Sequence, residues 1–135
     1  MELLTMRNLF TFAFLFAIAN VVSAAQLDKA TLIGQWDYTS YTILQRGRPS
    51  GAVQFKPRTM LFTYHEGGAW EMEAGDATHT KLNGSYEVHD TELIMKKTDG
   101  STYQDFTVEF RNDGKEMVMR DKRSIVTASK VEATP

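Results

Sequence analysis

The sequence predicts an all-β domain: a single eight-stranded antiparallel up-and-down β-barrel, preceded by a cleavable signal peptide helix. Three observations point there. From Ile33 onward, apolar residues recur at period two and helical periodicity is absent. The alternating runs are short and separated by glycine, asparagine and aspartate turn signals, which favours antiparallel neighbours. The 135-residue chain has no cysteine, so a small exported domain must draw its stability from a closed sheet or a well-packed core rather than from disulfides.

The N-terminus supplies the export signal. Arg7 precedes an apolar run from Leu9 to Ala19, and Val22-Ser23-Ala24 ends it with residues a signal peptidase accepts. The run is too short for a membrane span. No cysteine follows it, so a lipid anchor has no attachment point. The signal is expected to cover 1–24, the domain 25–135, and the destination is secreted or periplasmic, with no membrane span after cleavage. Gln26 to Leu32 then reads as one helical turn with Asp28 near its start.

Eight strands follow. The first runs from about Ile33 to Leu44, and a long connection leads to the second, Arg58 to Tyr64. His65-Glu66-Gly67-Gly68 turns into the third, Ala69 to Ala74, because paired glycines supply the positive φ angles of a tight hairpin. Asn83-Gly84 introduces the fourth, Ser85 to Val88. His89-Asp90-Thr91 leads to the fifth, Glu92 to Lys97, and Thr98-Asp99-Gly100-Ser101 to the sixth, Tyr103 to Arg111. Asn112-Asp113-Gly114 leads to the seventh, Lys115 to Arg120, and Asp121 to Ser124 to the last, Ile125 to Val131.

Alternation assigns one buried face. Phe106, Val108 and Phe110 oppose Thr107, Glu109 and Arg111; Trp70 and Met72 oppose Glu71 and Glu73; Tyr86 and Val88 flank Glu87. Met60, Phe62 and Tyr64 share a face, as do Leu93 and Met95. Ile94 and Val118 are apolar exceptions.

The opening Leu32-Ile33-Gly34-Gln35-Trp36, with Asn83-Gly84-Ser85-Tyr86-Glu87-Val88, resembles the lipocalin-like (calycin) barrels. It is most similar to the short bacterial lipocalin-like domains, over about Leu32 to Val131. The resemblance implies that Trp36 closes one end and that a basic side chain from the last strand packs across its indole. Lys130 is the candidate by position and Arg120 the substitute, which makes Gly34, Trp36 and Lys130 structural. Such a cation–π contact contributes about 0.5–2 kcal/mol. The longer Thr-Asp-Tyr signature of the family is absent, which argues against an animal-lipocalin-like pocket.

With Trp36 at the closed end, alternate links lie at the mouth. They hold Arg46, Arg48, Lys56, Lys81, Lys122 and Arg123 against Asp76, Asp99 and Asp121. The closed-end turns hold Glu66, Asp90 and Asp113. No acidic residue lies between Tyr38 and His65. A basic rim around an apolar cup would concentrate anionic ligands.

The expected function is non-enzymatic binding of a small apolar or amphipathic ligand, anionic ones included, inside the barrel. Tyr38, Phe62, Tyr64, Trp70, Met72, Tyr86, Phe106 and Phe110 would line it, with Arg46 and Arg48 at the rim. The alternative is a secreted protein-interaction module, such as a periplasmic protease-inhibitor-like barrel with a filled core. A mouth loop or the arm from Ala25 to Lys29 would then make the contact. An interior void of about 300 Å³ or more separates the two readings.

Other chemistries find no motif. There is no Gly-x-Ser-x-Gly, cysteine nucleophile or phosphate-cradling loop. His65, His79 and His89 lack zinc-site spacing, so no catalytic residue, metal or cofactor is expected. Fifteen basic and seventeen acidic residues argue against nucleic acid. Asn83-Gly84-Ser85 fits a glycosylation acceptor, but an Asn-Gly turn at a strand start explains it fully.

Overall fold

The computed structural model describes residues 27–75 and 79–132. The export signal expected at 1–24 and the mouth residue Asp76 lie outside the described residues. Within them, one short helix, α1 (Lys29–Leu32), precedes nine strands. These are β1 (Gly34–Gln45), β2 (Arg48–Gln54), β3 (Met60–Tyr64), β4 (Ala69–Ala74), β5 (Lys81–His89), β6 (Glu92–Lys97), β7 (Thr102–Arg111), β8 (Glu116–Arg120) and β9 (Ser124–Lys130).

All pairings are antiparallel. From β3 to β9 each strand pairs with the next, and β9 returns to β1. One edge of β1 takes β9, from Trp36↔Lys130 to Ile43↔Ser124. Its other edge takes β3 along the first part and β2 along the rest. Eight strands, β1 and β3–β9, thus close the barrel, and β2 is an additional ninth.

That ninth strand corrects the sequence reading. The long first connection is a hairpin with a two-residue turn, Arg46 (φ 54°) and Gly47 (φ 77°). Paired positive φ angles match the twist of the flanking strands. Pro49 and Gly51 disguise the second arm, because both are poor residues for a central strand. Here β2 is an edge strand, and its register slips by one residue between Ile43↔Gly51 and Leu44↔Pro49. A proline is tolerated at such a bulge. The loop 55–59 then returns the chain to the wall, where the Asp37 carboxylate accepts the Arg58 backbone N–H at 3.1 Å.

A second correction concerns Asn83-Gly84, which lies inside β5 rather than before it. A Cβ at Gly84 would stand 1.8 Å from the Lys96 carbonyl oxygen and 2.8 Å from Trp70 Nε1. The missing side chain lets the Trp70 indole donate to that carbonyl at 2.9 Å. Glycine is needed there for close approach, not for a turn.

The inward faces follow the alternation. Tyr38, Phe62, Tyr64, Trp70, Met72, Tyr86, Leu93, Met95, Phe106, Val108, Met117 and Met119 are all buried in one cluster. Phe110 is half-buried against it. The charge pattern at the closed end is less one-sided than expected, because Lys115 lies in the turn before β8 and α1 brings Lys29 to the same end.

Candidate functional site

The closed end is built around Trp36. Asp28 caps α1, accepting from Ala30 N–H at 3.0 Å and the Thr31 hydroxyl at 2.8 Å. The Thr31 hydrogen bond holds the Asp28 carboxyl below its ordinary pKa. The Lys29 carbonyl takes the Ile33 N–H at 3.2 Å, but so short a helix leaves its later carbonyls without helical partners. The Trp36 indole N–H takes the Leu32 carbonyl at 2.8 Å. The Lys130 ammonium donates to the Thr31 carbonyl at 2.7 Å and to that of Ile33. It also lies 4.8 Å from the Trp36 ring centre. Burial pushes the Lys130 pKa below its ordinary value.

Gly34 makes this possible. Its φ is +126°, and a Cβ there would press on Lys130 Cε and Nζ at 3.0 Å. Arg120, the other candidate, is exposed at the far end of β8. Leu32 and Trp36 are fully buried, so this end is sealed.

The lumen is crossed by side chains. Trp36 on β1 stacks on Phe110 on β7 at 5.9 Å, and Trp70 on β4 stacks on Tyr103 on β7 at 4.9 Å. Tyr38 lies flat on Phe62 at 4.2 Å, and Tyr64 meets Tyr86 edge-on at 5.5 Å. The Tyr64 hydroxyl reaches Met95 sulfur on β6 at 3.5 Å, and that of Tyr38 reaches Met119 sulfur at 3.6 Å. Burial pushes the phenol pKa of Tyr38 well above its ordinary value, with Tyr64 adding to it, and pushes that of Tyr64 up too. Rings and thioethers from strands well apart around the barrel thus meet across its interior.

Six of the eight residues named for the lining, Tyr38, Phe62, Tyr64, Trp70, Tyr86 and Phe106, are at most 5% exposed. Met72 is buried beside them and Phe110 sits nearer the sealed end. One polar group is left over: Gln104 Oε1, on β7, is buried without a partner among the described residues. A cleft of about 260 Å³ is lined by the inward-facing Trp70 and Leu82 with Tyr103, Lys81, Asn83, Lys97 and Thr98.

The opposite end is where the hairpin stands. Every residue of β2 is exposed. Arg46 at its turn and Arg48 at the start of β2 are exposed together. Tyr41, Ile43, Val53 and Phe55 share the hairpin face that continues the barrel interior, since Tyr41↔Val53 and Ile43↔Gly51 pair across it and Tyr41↔Val126 ties it to a buried residue of β9. Tyr41 and Phe55 pack on the core, whereas Ile43 and Val53 are 43% and 49% exposed. Arg46, Arg48 and Lys56 lie on the hairpin and just after it, and none makes an ion pair among the described residues.

The rim arginines were legible, and the apolar ledge beside them was not. The signal that would have found it is Arg46-Gly47 between two runs able to pair, Tyr41 to Gln45 and Arg48 to Val53.

No family model matches the chain, and no curated protein does. Solved structures do. A crystal structure of a lipocalin-like protein from Bacteroides uniformis matches with a TM-score of 0.61 at 11% identity, covering 75% of this chain and 99% of its own. An uncharacterized protein from Bacteroides eggerthii matches with a TM-score of 0.58 at 16% identity, covering 74% of this chain and 99% of its own. At these identities the likeness concerns the fold alone. The barrel has the lipocalin-like fold.

Proposed function

We propose that this protein is an exported, non-enzymatic binding module that uses the barrel as a scaffold and recognises its partner on the β1–β2 hairpin at the basic end. The observation that carries this reading is the set of contacts across the lumen, Trp70 with Tyr103 and Tyr64 with Met95. A filled interior leaves the outer surface for recognition. The hairpin is a part of that surface where two exposed apolar side chains, Ile43 and Val53, occur with cations that make no ion pair among the described residues. The export half of the proposal rests on the charge, apolar run and small residues of 1–24.

Binding inside the barrel is the second reading, and two observations favour it. The fold is one shared with a lipocalin-like protein. Met72, Met95, Met117 and Met119 line a lumen that also holds the unpartnered Gln104 oxygen, and thioether side chains re-pack readily around a guest.

Native mass spectrometry of the protein purified from its source separates the two. The expected result is the bare protein mass, with no saturable uptake of a fluorescent fatty acid. A retained small molecule at one per chain, lost on Tyr38→Ala, would move the site into the lumen.

A further inference from the structure

The outer edge of β2 is a strand-pairing edge. The Phe55 N–H donates to the Thr39 carbonyl at 3.0 Å. In an antiparallel ladder the groups alternate. With Thr39 and Phe55 bonded to each other, Val53 and Gly51 also turn toward β1, in register with Tyr41 and Ile43. The N–H and C=O groups of Ala52 and Gln54 therefore face away from the sheet. Among the described residues no strand pairs with that side of β2. Edges of this kind are usually shielded by a covering loop or a charge pointing inward. Here Arg48, Pro49 and the bulge blunt the edge near the turn, and Ala52 and Gln54 lie beyond them.

We infer that β2 accepts an extended acidic polypeptide segment as an added antiparallel strand; this rests on the hairpin being the recognition surface. Charge complementarity selects the occupant. Arg46 and Arg48 stand at one end of the edge and Lys56 just beyond the other, with no acidic residue anywhere from Thr39 to Tyr64. A strand bearing glutamate or aspartate at its ends meets cations at both. A second copy of this chain would set two such segments side by side, and like charges opposed across a strand pair are unfavourable. The guest's backbone bonds Ala52 and Gln54, and its alternate side chains on one face cover Ile43 and Val53. Main-chain bonds supply affinity in this mode, and the side-chain pattern supplies selectivity.

The test uses three labelled ten-residue peptides with the full signal-free chain: alternating valine–threonine cores flanked by glutamate, the same core flanked by lysine, and the glutamate peptide with a central proline. Anisotropy titration is expected to show saturable binding of the first, at least about ten-fold tighter than the second and weakened by salt. The proline peptide is expected to lose binding. Amide exchange should slow at Ala52 and Gln54 when the first is bound.

Two variants keep the outcome decisive. Ala52→Pro removes an outward N–H without touching a bond to β1 and should abolish binding while the thermal midpoint stays within a few degrees. Arg46→Glu with Arg48→Glu should shift preference toward the lysine peptide. Binding that survives Ala52→Pro overturns strand addition. So does a dimer of the chain that Ala52→Pro dissociates, or a fatty acid that displaces the acidic peptide. If the peptides fail while the lumen stays empty, strand docking alone is wrong; a ligand retained in the lumen removes the reading beneath it.

Discussion

The two ends of β1 do opposite things with the same chain. At Trp36 the strand lies between β3 and β9, and Leu32, Lys130 and Phe110 close over the indole. Here polar groups find partners: the α1 carbonyls take the indole N–H and an ammonium. At Ile43 the strand has left the core. It still pairs with β9 on one edge, but its other neighbour, β2, is exposed throughout. The difference teaches where stability and recognition reside. Burial and satisfied hydrogen bonds make an end rigid, and an unpaired edge with exposed valine and isoleucine makes an end adhesive.

The sharpest break of this comparison is at Trp36. Trp36→Ala is expected to lower stability by about 3–5 kcal/mol, as for other large buried aromatics. It empties a fully buried site and leaves the Leu32 carbonyl unpartnered. Urea unfolding of the signal-free chain measures it. A loss below about 0.5 kcal/mol would make the sealed end no more than surface.

Between the ends, Tyr38 reports whether the lumen is as dry as its contacts imply. Burial raises the phenol pKa of Tyr38 and Tyr64 in the folded state, while the unfolded chain ionises near 10. The unfolded state then releases protons that the folded state keeps, so stability must fall as pH rises through and above 10. Each such phenol contributes up to about 1.4 kcal/mol per pH unit in that window. Urea midpoints at pH 9 and pH 11 read the slope, and Tyr38→Phe should make it shallower. An unchanged slope would mean that water reaches the phenol and that the lumen is open.

How much of this was legible depends on which physical signal each part sends. The inward faces of β4, β6 and β7 were readable because period-two alternation survives in Trp70/Met72, Leu93/Met95 and Phe106/Val108. The hairpin was not, since Pro49 and Gly51 carry loop chemistry and an edge strand tolerates both. Gly84 was misread because an Asn-Gly pair signals a turn, whereas this glycine answers a steric demand from Lys96 and Trp70 across the sheet. The contacts across the lumen were undecidable in advance. Large inward side chains can line a cavity or meet across it, and only their rotamers and the barrel's girth decide.

The smallest effect belongs to the exposed end and completes the contrast. Val53 pairs with Tyr41 on the ledge but keeps about half of its surface, at 49%. Val53→Ala therefore removes little buried area, and its cost to stability should stay under about 0.5 kcal/mol. Its effect on recognition should be larger than its effect on folding, because Val53 and Ile43 are the apolar surface a docked strand would cover. Weaker binding of the glutamate-flanked peptide with an unchanged urea midpoint is the expected pair of results. A stability loss of several kcal/mol would mean that the ledge is part of the core, and the two ends of β1 would then differ in charge alone.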